Sequence, residues 1–172
     1  PDKIIQQKHI IQTVEVYQSV LRSILQDCTD ENLICIVLEK PLYTMPKKSS
    51  SNVYVKNGFH LHFPYTFVSR TEQERDLVPR IVKEIKNDEI FADIDGISDV
   101  SKIIDKSYTT GTPWMLYGSV KNDKQKPYKI TTIFDGDCEE ISMEEALSEY
   151  KIFNDGEEQI DYEDNIMKYM PR

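Results

Sequence analysis

The chain has 172 residues, of which 39% are hydrophobic and 30% charged, and carries a formal net charge of −9. That length suits one domain, or a domain with an arm, that buries about two-thirds of its unfolded surface without a covalent staple. The acidity argues against a general nucleic-acid coat, which would be basic.

The charge is uneven. Between positions 135 and 164 there are thirteen Asp and Glu against one Lys, whereas 102–129 holds six Lys and only Asp105 and Asp123. The middle of the chain can therefore face a polyanion while the tail repels one. Cys28, Cys35 and Cys138 show no C-x-x-C spacing, which excludes a cysteine zinc cluster and a disulfide framework and fits a reducing, intracellular compartment. No apolar run approaches the ~18 residues of a membrane span. The first residue is Pro rather than Met, so the chain is expected to begin inside a longer polypeptide.

Taken in order, residues 3–26 read as a helix, because Ile10, Val14, Tyr17, Leu21, Ile24 and Leu25 recur at three- and four-residue spacings. Residues 33–38 form a continuous apolar run of strand length, the pattern of a buried central strand. Pro41 and Pro46 close it, and 47–52 is a Ser/Lys/Asn loop. Residues 53–55 are expected to pass through the Asn57-Gly58 turn signal into the next strand.

That strand alternates strictly from Gly58 to Phe63. A period of two puts Phe59, Leu61 and Phe63 on one face and Gly58, His60 and His62 on the other. Two of the three histidines therefore share a face with a glycine that lets a ligand approach the backbone. Three readings stay open there. The two rings, about 6–7 Å apart from the strand rise, could share a metal given a third ligand. An imidazole could hold a phosphate as donor or cation. Or the pair could be structural.

Thr71-Glu72-Gln73-Glu74 has capping-box spacing. The helix it opens points Leu77, Val78, Ile81, Val82 and Ile85 inward and ends near Asn87, with Pro79 predicting a kink or a late start. Asp93 and Asp95, followed by Gly96 and Asp99, read as an acidic surface turn more than a metal pair. Ile103-Ile104-Asp105 ends an apolar step on an acid, the position of a hard-metal ligand or of a turn-capping carboxylate. Residues 114–120 and 128–134 read as the two strands of a long-turned antiparallel hairpin. The first of them ends in Tyr117-Gly118-Ser119-Val120-Lys121, a small-residue surface with one ammonium that suits phosphate. Trp114 at its start reads as core. Ser142-Met143-Glu144-Glu145 caps a helix through Tyr150, and from Asn154 the chain is acidic.

Gly58-Phe59-His60 on a strand, then Ile103-Ile104-Asp105-Lys106-Ser107-Tyr108, then Leu116-Tyr117-Gly118-Ser119-Val120-Lys121 resemble, in order and spacing, the archaeo-eukaryotic primase domain of large-DNA-virus primase–helicases of the poxvirus, asfarvirus and giant-virus type. The likeness runs from about position 33 to 134. It implies an RRM-like core and template-directed phosphodiester formation in viral DNA replication, with two divalent metals, Mg or Mn, on an Asp-x-Asp pair and a later Asp. On that resemblance Asp105 is the later metal carboxylate and a catalytic residue. His60 contacts the phosphates of the incoming nucleotide, Gly58 gives room, and Lys121 with Ser119 adds to the phosphate cradle. Single-stranded DNA template and nucleoside triphosphates are the implied partners, with a helicase domain C-terminal in the same chain and the viral replication site in host cytoplasm or nucleus as the location.

This sequence departs from the pattern at the Asp-x-Asp pair, which nothing before Leu33 supplies. The chain is therefore expected to start just past it and to hold a partial, inactive site by itself. The expected fold is α+β: a mixed or antiparallel sheet carrying His60 and Asp105 on neighbouring strands, with helices on one side. The expected division is an N-terminal helix over 1–32, a catalytic-type core over 33–153, and an acidic linker over 154–172. Two other functions compete: a non-catalytic nucleic-acid- or protein-binding module on the same fold, and a metal-dependent hydrolase on the His60/His62 pair.

Overall fold

The computed structural model describes residues 4–41, 43–46, 53–97, 99–106, 120, 126–149, 152–153 and 159–160. The expected 114–120 strand and the Tyr117–Lys121 motif, apart from Val120, lie outside them.

The apolar run does become the central strand. β1 (Cys35–Glu39) lies between β4 (Phe59–His62) and β5 (Lys129–Phe134), and β6 (Glu140–Ile141) follows β5 at the edge, every pairing being antiparallel. β1 is apolar on both faces because both are covered. Cys35 and Val37 meet Ile10 and Val14 of α1 (Gln7–Ile24), together with Phe134. Ile36 and Leu38 join Ile34, Tyr128 and Ile133 on the other face, where Met143 and Ala146 of α4 (Met143–Glu149) pack. The α+β class and the antiparallel sheet stand as expected.

α1 is shorter at both ends than the periodicity suggests, but its stripe is the expected one. Ile10, Val14 and Leu21 are buried, while Tyr17, Ile24 and Leu25 are partly buried against the cluster shared with α3 (Val78–Asn87). Gln18 is a buried polar residue with a structural task. Its amide donates to the carbonyls of Leu33, at 2.9 Å, and Asp135, at 2.6 Å. One side chain thus ties the entry to β1 to the exit of β5, and its burial costs little because its hydrogen bonds are kept.

Below Gln18, Arg22 donates to Asp30 and to the Gly136 carbonyl, both at 2.9 Å. A Cβ added at Gly136 would sit 2.7 Å from the Asp30 Cβ and 2.8 Å from its Cα and carbonyl oxygen. Backbone cannot swing aside as a side-chain tip can. Gly136→Ala is therefore expected to destabilise the protein by about 1–3 kcal/mol, the usual range for overpacking. The midpoint of urea unfolding checks this; an unchanged midpoint would show that the Asp30 turn gives way freely.

Three local expectations are corrected. First, the helical cap sits two residues early. Ser69 accepts from the Glu72 N–H at 3.3 Å and Glu72 accepts from the Ser69 N–H at 3.0 Å, so α2 (Arg70–Glu72) begins before Thr71. A π-type stretch, Gln73–Leu77, then leads into α3, whose first turn holds Pro79. Proline has no N–H to give to the preceding turn, and the wider stretch absorbs that loss. Leu77, Val78, Ile81 and Ile85 are buried as expected, with Val82 only half-buried.

Second, Asn57-Gly58 does not close a hairpin. β3 (Val53–Lys56) pairs with β2 (Tyr43–Pro46), while β4 pairs with β1. Gly58 lacks the positive φ that a tight hairpin turn demands, and the Asn57 side chain is used elsewhere, accepting from the Ile5 N–H at 2.8 Å.

Third, Asp105 is not on a strand. It follows a 3₁₀ turn, Val100–Lys102, and two irregular residues. Ile103 and Ile104 are spent on the α1–α3 core, so their apolarity serves a loop anchor rather than a sheet. At the other end of the described core, Ser142 does cap α4, accepting from the Glu145 N–H at 3.0 Å.

Candidate functional site

Strand alternation builds the site. Phe59, Leu61 and Phe63 pack toward α1 with Cys35 and Val37, which turns His60 and His62 to the opposite face. There His60 sits across from Leu38 and His62 from Ile36. The His60 ring stacks on the Tyr128 ring with centroids 4.0 Å apart and planes 23° apart. Lys40, just past β1, brings its ammonium to 4.7 Å from the centroid of the same ring.

The electrostatics follow from this packing. Burial, helped by the nearby Lys40 ammonium, lowers the His60 pKa to about 4, while the Asp105 carboxylate pulls it the other way. Asp105 itself is exposed, and it is close enough for its charge to act on the ring. At neutral pH His60 is therefore an uncharged imidazole with one N–H to donate. Burial alone lowers His62 to about 4.

Gly58 is the third described member. A Cβ there would meet nothing within 4 Å and the φ is not positive, so neither packing nor backbone geometry requires a glycine. Gly58→Ala should accordingly leave the unfolding midpoint of the protein within the small range of a surface substitution, about 0.5 kcal/mol. If a nucleotide approaches the backbone here, the same change weakens nucleotide binding, which a titration of the intact protein reads directly. Ser119 and Lys121 lie outside the described residues.

Two residues that the sequence reading did not single out, Lys40 and Tyr128, are part of the site. Lys40 has the same parity as Ile36 and Leu38, which placed it on one face of the apolar strand. Which neighbour that face would meet depended on strand register.

A divalent metal fits only in part. Asp105 offers one exposed carboxylate, the oxygen donor that a hard cation takes alongside phosphates and water. Among the described residues no three His, Cys, Asp or Glu side chains converge on a metal position. The His60/His62 pair therefore finds no third ligand among them. His9 is engaged elsewhere. Its Nδ1 accepts from the Gln6 N–H at 3.0 Å, which leaves the proton on Nε2, donated to Asp93 at 2.8 Å. Lys8 also binds Asp93, and the two contacts hold that carboxyl at a pKa of about 2. Asp93 is thus a clasp between the N-terminal turn of α1 and the turns after α3. No helix among the described residues is long and apolar enough to cross a membrane.

Comparison with known proteins gives a consistent picture. The sequence profile of the family described as "C962R protein N-terminal AEP domain", AEP standing for archaeo-eukaryotic primase, matches residues 1–134. The chain is similar to "Putative helicase 121R" of Invertebrate iridescent virus 3, with 32% identity over 166 residues, covering 92% of this chain and 17% of that protein. It is also similar to "Putative helicase 184R" of Invertebrate iridescent virus 6, with 32% identity over 147 residues, covering 80% of this chain and 15% of that protein. "Putative helicase L207/L206" of Acanthamoeba polyphaga mimivirus is 26% identical over 144 residues, 83% of this chain and 13% of that protein. The chain thus spans 13–17% of the length of these relatives. No solved structure matches it.

Proposed function

Because the chain belongs to the archaeo-eukaryotic primase family of the C962R N-terminal type, we propose that it is the primase-type part of a viral primase–helicase and serves nucleotidyl transfer on a single-stranded DNA template. In this reading residues 1–32 and 33–153 form the primase unit, and the acidic 154–172 stretch leads to a helicase domain.

The observation that carries the proposal is the His60 imidazole, turned away from the core at the end of the sheet and stacked on Tyr128 beside Lys40 and Gly58; the charge of Asp105, remote in sequence, acts on the same ring. A neutral imidazole suits a phosphate as a hydrogen-bond donor and does not itself hold a charge there. Gly58 lets the triphosphate come close to β4. Asp105 would be one ligand of a Mg or Mn ion, which when bound offsets the charge that builds on the phosphates and leaving group. Ser119 and Lys121 complete the proposed cradle.

The test is thermal unfolding of the intact protein with and without ATP and manganese. A ligand that binds only the folded state raises the midpoint, by about 2.7 kcal/mol of added stability at a hundred times its dissociation constant. His60→Ala should remove most of that rise. A second reading is a non-catalytic nucleic-acid- or protein-binding module, favoured by the lack of a three-ligand metal cluster among the described residues. An unchanged midpoint in the wild-type protein with ATP and manganese would decide for it.

A further inference from the structure

The last shared rung of the three central strands joins Phe59, Glu39 and Lys129. One residue beyond it on each strand stand Gly58, Lys40 and Tyr128. Alternation turns that outer rung toward the His60 face, and the ring contacts bear this out. The Lys40 ammonium is 4.7 Å from the Tyr128 ring centroid, and His60 stacks on the same ring at 4.0 Å. Tyr128 is buried, only 9% exposed, whereas Lys40 is half-buried. On the far side of Lys40, a Cβ at Gly58 would meet nothing within 4 Å. The end of the sheet is therefore a cation and an imidazole held against one buried ring, next to space at Gly58 that no described residue fills.

We propose that Lys40 is a phosphate-binding residue for the incoming nucleoside triphosphate, and that Tyr128 is the positioning residue that orders both Lys40 and His60. This deepens the nucleotidyl-transfer reading and rests on it. The chemistry is that of a compact point charge with three donors on a flexible stem. Contact between an ammonium and an aromatic face is a weak electrostatic attraction. That contact helps to order the ammonium at the end of the sheet, where a phosphate can be met. The Lys40 charge is also one of the causes that keep His60 uncharged. The site then holds its positive charge on the lysine and its neutral donor on the histidine. Lys40 directly follows the central strand of the sheet, whose position the core fixes.

The experiment compares K40M, K40R, Y128F and Y128L in the intact protein. Two readouts are used: the shift in melting temperature with ATP and manganese, and primer extension at varied nucleotide concentration. K40M should remain folded without nucleotide, with a cooperative unfolding transition, yet bind ATP about tenfold or more weaker, the scale of a lost charge-assisted contact. Its KM for nucleotide should rise more than its kcat falls, and K40R should recover most of the affinity. Y128F keeps the ring and should retain more affinity and rate than Y128L, which should lose both together. Wild-type nucleotide affinity and KM in K40M would overturn the proposal and leave the nucleotidyl-transfer reading standing. No nucleotide shift in the wild-type protein would overturn both.

Discussion

Asp105→Ala in the intact protein is expected to reduce primer synthesis by on the order of a hundredfold to a thousandfold or more, the range seen when one group that stabilises developing charge is removed. Stability should not follow activity. The Asp105 side chain is exposed, and the anchoring of its loop belongs to Ile103 and Ile104, which pack into the α1–α3 core. The substitution should therefore stay within about 0.5 kcal/mol of wild-type stability. Ile104→Ala is the contrasting change, since it loosens the anchor itself. A third readout ties the aspartate to the histidine. The Asp105 charge raises the His60 pKa against burial, so its removal should move the His60 titration, followed by NMR, to still lower pH. Full primer synthesis by Asp105→Ala would refute the metal-ligand role, and an unmoved His60 titration would refute the electrostatic link.

Acid should destabilise the fold through a different pair. His60 and His62 both fall from an ordinary pKa of 6.5 to about 4 in the folded protein. Between those values the unfolded chain binds protons that the folded chain refuses. The stability from keeping these rings neutral is therefore fully present above pH 6.5 and is lost as pH falls from 6.5 toward 4. At 1.36 kcal/mol per unit the ceiling is about 3 kcal/mol for each ring, a large share of the ~5–15 kcal/mol that holds an ordinary domain. Asp93 does not confuse the window. Its carboxyl is lowered from 3.8 to about 2, so its contribution is lost only as pH falls below 3.8. Urea midpoints at pH 7 and pH 4.5 provide the measurement, and replacing both histidines by Gln should flatten the difference. Equal slopes for wild type and the double variant would show that the rings titrate as they do in water.

Local periodicity was legible in the chain and tertiary choice was not. The apolar run became the central strand, and the alternation from Gly58 to Phe63 sorted the core residues from the histidines, because each signal is set by neighbours in sequence. The shifted cap shows the limit. Ser69-x-x-Glu72 and Thr71-x-x-Glu74 have the same spacing, and the π-type stretch before Pro79 allowed the earlier one to start the helix. Asn57-Gly58 failed as a hairpin signal because Phe59 and Leu61 pack against the cluster formed by α1, β1 and β5, with β4 paired to β1 and not to β3. An apolar pair such as Ile103-Ile104 looks alike in a strand and in a core-anchored loop, so the sequence does not separate the two.

What the amino-acid order by itself determined is the set of parts: a buried strand, an amphipathic helix before it, an imidazole turned away from the core, and an acid after two isoleucines. The family pattern could be recognised from those parts in their order. The tertiary structure alone decided which of them meet. It set β4 rather than β3 beside its partner, brought the Asp105 charge within reach of His60, and seated Lys40 and Tyr128 at the same strand ends. Antiparallel register is chosen by the summed burial of residues distant in the chain, and no window of neighbouring residues contains that sum.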